Sequence, residues 1–220
     1  MSQLNVNTIG ARTGTEVQLA SGNTLKDKDG TAFDTQSDMH KLYSVNVTSA
    51  QSTVDLFYSN TGWRADLYHS FIVKMRWARV ETDNRRFYWG LYYNDTLRSG
   101  TYQSHIWYER MDGSQSGGNT YSGTTDYVDL TSGTTGTGTR ENVSATIEVV
   151  PAGDSFITPS TGVLTWWKMD VNVKYENGAS WTADRRGQFD STSWVNGMRI
   201  YTNGGNIAQG QFDFYGVRRG

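Results

Sequence analysis

The chain of 220 residues contains no cysteine and only two prolines. The absence of cysteine excludes disulfide bonds and thiolate metal sites. Its 20 basic and 22 acidic side chains give a net charge of −2, which does not favour binding to nucleic acid. No apolar run has the length of a membrane span, and Met1 is not followed by the basic and apolar segments of a secretory signal. We therefore expect no membrane insertion, no classical export and no nucleic-acid partner.

Motifs of known catalytic and metal sites are also missing from the sequence. It contains no GxSxG, phosphate-loop or dinucleotide-binding pattern. The three histidines, at positions 40, 69 and 105, are far apart and have no metal-ligand spacing. An Asp-Lys-Asp-Gly run at 27–30 lacks the Glu that closes a calcium loop, so it is interpreted as a turn. We expect no catalytic residues, no metal and no cofactor, and a protein that is not an enzyme.

Alternating apolar residues indicate β-strands throughout the second part of the chain. Between 163 and 175 apolar side chains alternate with polar ones, and the same period of two occurs at 143–149. In the run 71–77 this period places Trp77 on the apolar face with Phe71, while 87–93 is apolar on both faces. Further strands are predicted near 42–47, 53–58, 101–108, 125–130, 194–201 and 211–217.

Glycine- and serine-rich clusters between these runs predict turns and loops. The segment 112–124 and the low-complexity stretch SGTTGTGT at 132–139 are both predicted to be solvent-exposed loops. A further aromatic-rich loop is predicted around Arg185 and Arg186, with both arginines solvated or paired between chains. Many short strands separated by turns, with no sustained period of 3.6, predict an all-β protein. We assign residues 39–220 to one antiparallel β-sandwich of jelly-roll type.

The first 38 residues have a different, sparser pattern. Few large aliphatic side chains occur there, and they are spaced singly among Thr, Asn and Gly: Leu4, Val6, Ile9, Val17, Leu19 and Leu25. Six such residues are too few to offset the cost of ordering the segment, roughly 1–2 kcal/mol per residue. We therefore predict that residues 1–38 form an extended β-rich arm that buries these side chains against other chains, for assembly or attachment.

Both ends of the chain resemble one class of proteins. The run LNVNTIGARTGTEVQLASGNTL at 4–25, followed by Lys-Asp-Lys-Asp-Gly, resembles the N-terminus of tail-fibre-like virion proteins of tailed bacteriophages, especially those infecting marine cyanobacteria. The run GNIAQGQFDFYGV at 205–217 resembles the end of a β-sandwich domain in such proteins. The resemblance implies a structural virion protein, assembled in the host cytoplasm, that forms a homotrimer and contacts other virion proteins.

Two other functions agree with the same sequence. An arm followed by a sandwich also suits a capsid decoration or cement protein. Alternatively, the sandwich is a receptor module or depolymerase that binds a host-surface glycan, since aromatic rings beside polar groups can stack on sugars. The candidate contacts for that function are Trp63, Tyr121, Trp181 and Trp194. The competing interpretation of these rings is that they fill the sandwich core or a subunit interface.

Overall fold

The computed structural model describes residues 39–57, 68–93, 96–97, 102–131, 133–138, 140–151, 165–175, 177–189 and 195–218. All of these residues belong to the second of the two units into which the chain divides, Asp38–Gly220. The predicted arm, with its six aliphatic residues, lies outside the described residues.

The described residues form thirteen β-strands and no helix. The strands are β1 Met39–Val47, β2 Thr53–Phe57, β3 Tyr68–Val80, β4 Phe87–Tyr93, β5 Thr96–Leu97, β6 Tyr102–Arg110, β7 Ser116–Thr125, β8 Val128–Asp129, β9 Val143–Val150, β10 Thr165–Lys174, β11 Ser180–Phe189, β12 Val195–Thr202 and β13 Ile207–Arg218. An eight-stranded sheet has the order β1-β13-β3-β9-β10-β11-β6-β7, and a five-stranded sheet has β2-β12-β4-β5 with β8 beside β4. Every pairing is antiparallel.

The strand pairing is nested from the ends of the unit inward. The first strand pairs with the last, β1 with β13, and the second pairs with the second-last, β2 with β12. Strands β3 and β4 then add to β13 and β12 in their respective sheets. This alternation between two sheets is the jelly-roll arrangement. The predicted all-β class and the β-sandwich of jelly-roll type are therefore confirmed for this part of the chain.

Large aromatic rings join the two sheets. Trp89 of the small sheet meets Trp167 of the large sheet edge-to-face, with ring centroids 5.2 Å apart. The Trp89 indole N–H also donates to the Met169 sulfur at 3.4 Å. Burying each such side chain stabilises the fold by roughly 1.5–3 kcal/mol. The aromatic residues thus supply the burial that the modest aliphatic content does not.

Strand β10 follows its sequence pattern closely. Residues 165–174 alternate buried and exposed, with Met169 and Val171 inside and Lys168 and Asp170 outside.

Strand β4, apolar on both faces, has β12 on one side and β5 and β8 on the other. On its outward face the rings of Tyr127 and Tyr201 pack against Tyr88. The Arg199 guanidinium lies over the Tyr92 ring on the same face. Both outward tyrosines are therefore buried, which accounts for the absence of a polar face.

The prediction for Trp77 is wrong. Its side chain is 63% exposed rather than buried with Phe71 and Met75. The pairing of β3 with β9 shifts register between Met75 and Ala78, and Trp77 has a φ of 50°. A bulge adds one residue to the strand, so the period of two breaks at this point and the indole turns outward.

Two predicted loops are strands. Strand β7, Ser116–Thr125, covers most of the predicted loop 112–124 and lies at the edge of the large sheet, and the turn before it is confined to 111–115. The stretch around Arg185 and Arg186 forms β11, which pairs with β10 and β6 along ten and nine residues. Arg185 is buried rather than solvated, because it points inward on this strand. Conversely, the strand predicted at 125–130 shortens to the two residues of β8.

The low-complexity stretch at 132–139 is not simply a solvent loop. Thr135 is fully buried. Its backbone N–H donates to the Arg85 carbonyl at 2.7 Å, and the Arg85 N–H donates back at 3.2 Å. This isolated bridge ties the segment to the start of β4 and satisfies polar groups that burial would otherwise leave unpaired.

Candidate functional site

The outward face of the large sheet carries a regular three-by-three array of side chains across β10, β11 and β6, which we call the outer grid. Cross-strand pairing defines its three rows: Trp166, Gln188 and Gln103; Lys168, Arg186 and His105; Asp170, Asp184 and Trp107. Trp166 and Trp107 occupy opposite corners, and Arg186 lies at the centre. All nine side chains belong to rigidly paired strands, so the array is set by the backbone register.

Two tryptophans of the grid are exposed because of strand parity. Trp166 alternates with the inward Trp167 and shares its face with Lys168, and its side chain is 55% exposed. Trp107 follows the buried Ile106 on β6 and is 53% exposed. Tryptophan is usually largely buried in folded proteins. Two half-exposed indoles on one sheet face are therefore a feature that points to a binding surface.

A groove of about 630 Å³ runs over the first two rows of the grid. Side chains around Trp166 line it: Gln103, His105, Glu148, Val150, Lys168, Arg186 and Gln188. This volume lies within the range of small-molecule binding sites, roughly 300–1,000 Å³. The groove combines one broad apolar surface, the Trp166 indole, with amide, imidazole and charged groups at its margin.

The charges beside the groove are already paired within the protein. Lys168 forms a 2.9 Å salt bridge with Glu148, which raises the lysine pKa above its usual value. Arg186 donates two 3.2 Å hydrogen bonds to the two carboxylate oxygens of Asp184, and this contact raises the arginine pKa. Because each cation has a carboxylate partner, the groove offers hydrogen-bonding groups without a strong net field.

The two glutamines of the first row are also oriented by each other. The Gln188 side-chain amide donates to the Gln103 carbonyl oxygen at 2.6 Å. A glutamine amide has two donors and an acceptor with two lone pairs, so each side chain retains hydrogen-bonding capacity toward a ligand. The Trp166 indole can stack on the apolar face of a ligand ring while the two glutamine amides form hydrogen bonds with hydroxyl groups at the edge of that ring. Chemically, it suits a polyhydroxylated ring such as a sugar.

Most of the predicted glycan contacts are not placed by the structure. Trp63 and Trp194 lie outside the described residues. Tyr121 lies on β7, where its backbone pairs with Ser104, and its side chain is outside the description. The grid is therefore formed by residues that the sequence prediction did not select.

Trp181 lies on the inward face of β11 in a separate cleft. Its ring centroid is 5.6 Å from that of Tyr108 and 6.4 Å from that of Tyr175. The cleft measures about 700 Å³, and Arg86 also lines it. Its polar groups bond to other parts of the protein: the Tyr175 hydroxyl donates to the Thr131 carbonyl, and Arg86 contacts a carboxylate of β8 at 3.2 Å. Burial raises the pKa of Tyr175 to about 12.

The sequence contained a signal for the residues that the prediction missed. Trp166 has the same parity as Lys168 and Asp170 in a strand whose alternation is clear. Trp107 likewise has the parity of Gln103 and His105 in β6. A tryptophan on the polar face of an alternating strand is expected to be exposed. The prediction selected tryptophans near turn residues instead, and so overlooked both.

The described residues contain no group of three or more His, Cys, Asp or Glu side chains placed to hold a metal ion. Within the same residues, no helix has the length and hydropathy of a membrane span. Comparisons with protein-family models, with curated proteins and with solved structures find no match to this chain.

Proposed function

We propose that the chain is a structural protein of a bacteriophage tail fibre or related tail appendage. Residues 1–38 join copies of the chain to each other and to the particle, and the β-sandwich is displayed outward. The observation that carries this proposal is the resemblance of both chain ends to tail-fibre-like virion proteins.

The fold of the second motif supports this proposal. Its residues form most of β13, an interior strand of the large sheet that pairs with β1 and β3. Met39, the first residue of β1, pairs with Val217 near the end of β13. The first described residue of the sandwich therefore lies beside the C-terminal strand. Strand β1 is also an edge strand, and edge strands can pair with a further chain.

Immunogold labelling of purified phage particles with an antibody against the β-sandwich tests the proposal. We expect label on the tail appendages and the chain in an immunoblot of the same particles. Label confined to the head would support a capsid decoration protein instead. Absence of the chain from purified particles would contradict a virion role altogether.

A second function, binding of a host-surface glycan, is favoured by the groove around Trp166. The exposed indole, the paired glutamines and the internally neutralised charges together suit a neutral sugar better than an anion or an apolar surface. This function is compatible with a tail appendage, because such a structure meets the host surface first.

A further inference from the structure

We infer that the outer grid binds an extended neutral oligosaccharide along its diagonal, from Trp166 through Arg186 to Trp107. The inference depends on the proposed glycan-binding function and goes beyond it by naming a second aromatic platform and the direction of the bound chain. The register places these three residues at successive rows on three successive strands.

Standard sheet dimensions give the separation of the two platforms. Trp107 lies four residues along β6 from Gln103, which is about 13 Å at the rise of an antiparallel strand. Two strand spacings, about 10 Å, separate β10 from β6. The Cα atoms of the two tryptophans are therefore about 16 Å apart along the diagonal. A single sugar ring is too short to touch both, so the second platform contributes only to a ligand of several units.

The middle of the diagonal provides polar contacts rather than a third ring. Arg186 is exposed, and Asp184 holds its guanidinium through the two 3.2 Å hydrogen bonds. Three of its five N–H groups are left to point at sugar hydroxyls, since two donate to that carboxylate. His105, exposed and directly opposite Arg186 on β6, adds another hydrogen-bonding group. This order of indole, polar centre and indole suits an oligosaccharide whose two end sugars stack on the tryptophans while its middle sugars form hydrogen bonds.

The neutrality of the ligand follows from the pairing of the charges. Lys168 is occupied by Glu148 at 2.9 Å, and Arg186 by Asp184. An anionic sugar would have to compete with these carboxylates and would meet Asp170 in the third row. A neutral oligosaccharide neither competes with these carboxylates nor is repelled by Asp170. We therefore expect its affinity to change less than about twofold when salt screening is increased.

Isothermal titration of the full chain with homo-oligosaccharides of glucose, galactose and mannose, from single sugars to hexasaccharides, tests the inference. The variants are Trp166→Ala and Trp107→Ala. The matched control is Trp77→Ala, which removes a third indole that is 63% exposed on β3, outside the grid. Circular dichroism and thermal unfolding establish that each variant is folded.

For at least one sugar series, we expect affinity to rise with chain length. Trp166→Ala should weaken binding of short and long chains at least about tenfold, as loss of a central aromatic contact does. Trp107→Ala should weaken only the long chains by a similar factor, and Trp77→Ala should leave all affinities unchanged.

The alternative results are distinct. If Trp166→Ala weakens binding but Trp107→Ala affects no chain length, the groove binds glycan and the diagonal is wrong. If the unaltered chain binds none of the sugars, both the inference and the proposed glycan-binding function are contradicted. If instead Trp166→Ala lowers the solution mass of the protein, a second copy of the chain covers this face and the inference is overturned.

Discussion

The Ser44 hydroxyl on β1 donates a 2.6 Å hydrogen bond to the carboxylate of Asp213 on β13. That carboxylate is fully buried although it lies on the outward face of the large sheet. Lys41 forms a 2.6 Å salt bridge with it, and Arg76 on β3 and Gln211 also donate to it. The cluster therefore connects the edge strand β1, the strand directly after the arm in the sequence, to the next two strands of the sheet, β13 and β3.

Asp213 should make the stability of the fold decrease as the pH falls through the acidic range. Burial raises its pKa, but the hydrogen bonds from Lys41 and Ser44 outweigh burial, so the pKa is lowered overall. A lowered pKa means that the unfolded state takes up a proton near pH 4 while the folded state does not. The stabilisation is complete above that pH and is lost as the pH falls through the folded pKa.

Urea unfolding of the wild type and of Asp213→Asn, at a series of pH values from neutral to acidic, measures this effect. We expect the variant to be less stable by about 1–3 kcal/mol at neutral pH. Its stability should also fall less steeply below about pH 4. Some slope will remain, because Asp55, bonded by Arg199 and Tyr92, also has a lowered pKa. Equal slopes for the two proteins would contradict the role of Asp213.

Removal of the cations around Asp213 should cost more than removal of the carboxylate itself. The double variant Lys41→Met with Arg76→Met leaves a buried charge without its ion-pair partners, which costs about 3–5 kcal/mol. In Asp213→Asn, by contrast, the two half-exposed cations can turn to water. The comparison is made by urea unfolding at neutral pH.

Lys74→Met is the matched control for the cation pair. Lys74 lies opposite Asp213 in the register, and its ammonium group is 5.2 Å from the centre of the Tyr215 ring. We expect its loss to cost about 1 kcal/mol or less. A double variant no less stable than Asp213→Asn would show that the buried carboxylate does not depend on these cations.

Gly187 should not tolerate a side chain. A Cβ atom at this position would lie 2.1 Å from the Gln103 carbonyl oxygen and 2.3 Å from Cζ2 of Trp167. Both neighbours are fixed, one by backbone pairing and the other by burial, so Gly187→Ala should destabilise the fold by about 3 kcal/mol. Thr182→Ala, at an exposed position of the same strand, serves as the control and should change stability by about 0.5 kcal/mol or less.

Thermal unfolding of both variants checks the prediction for Gly187. The substitution should also weaken glycan binding, because Gly187 lies in β11 between two positions of the outer grid. Unchanged stability of Gly187→Ala would mean that β6 and β10 are less closely packed against β11 than the structure shows.

Trp77 should be replaceable without loss of stability. Its φ of 50° is unfavourable for a bulky residue by roughly 1–2 kcal/mol, whereas asparagine adopts this conformation readily. Trp77→Asn should therefore leave the midpoint of thermal unfolding unchanged or raise it. Trp167→Ala, by contrast, removes a buried ring and should cost about 3–5 kcal/mol. A large loss of stability in Trp77→Asn would show that the exposed indole makes packing contacts of its own.

These residues also show how far the sequence predicts the fold. β10 could be predicted because its inward positions are apolar apart from Thr165, and the strand is paired on both sides. β11 could not be recognised, because its inward positions include a charged residue, Arg185, and a glycine, Gly187. These two residues interrupt any apolar stripe along the strand. Its inward glycine is required by the Trp167 ring of the neighbouring strand, a constraint that only tertiary packing reveals.

The candidate site was harder to predict than the fold. Parity alone places Trp166 and Trp107 outward, but their common surface depends on the register of β10, β11 and β6, and β11 was not predicted at all. At Trp77 the strand itself was predicted but the face was wrong, because the bulge inserts one residue into an otherwise regular strand. Sequence periodicity thus predicts which face a residue occupies only within an uninterrupted, recognised strand.

The arm remains the central element of the proposed function, and its six aliphatic residues define the test. Light scattering coupled to size exclusion, on the full chain and on a variant lacking residues 2–30, measures the mass of each in solution. We predict a trimer for the full chain and a folded monomer for the deletion variant, with unchanged circular dichroism of the sandwich. A full chain that is monomeric, or a deletion variant that stays trimeric, would contradict assembly through the arm.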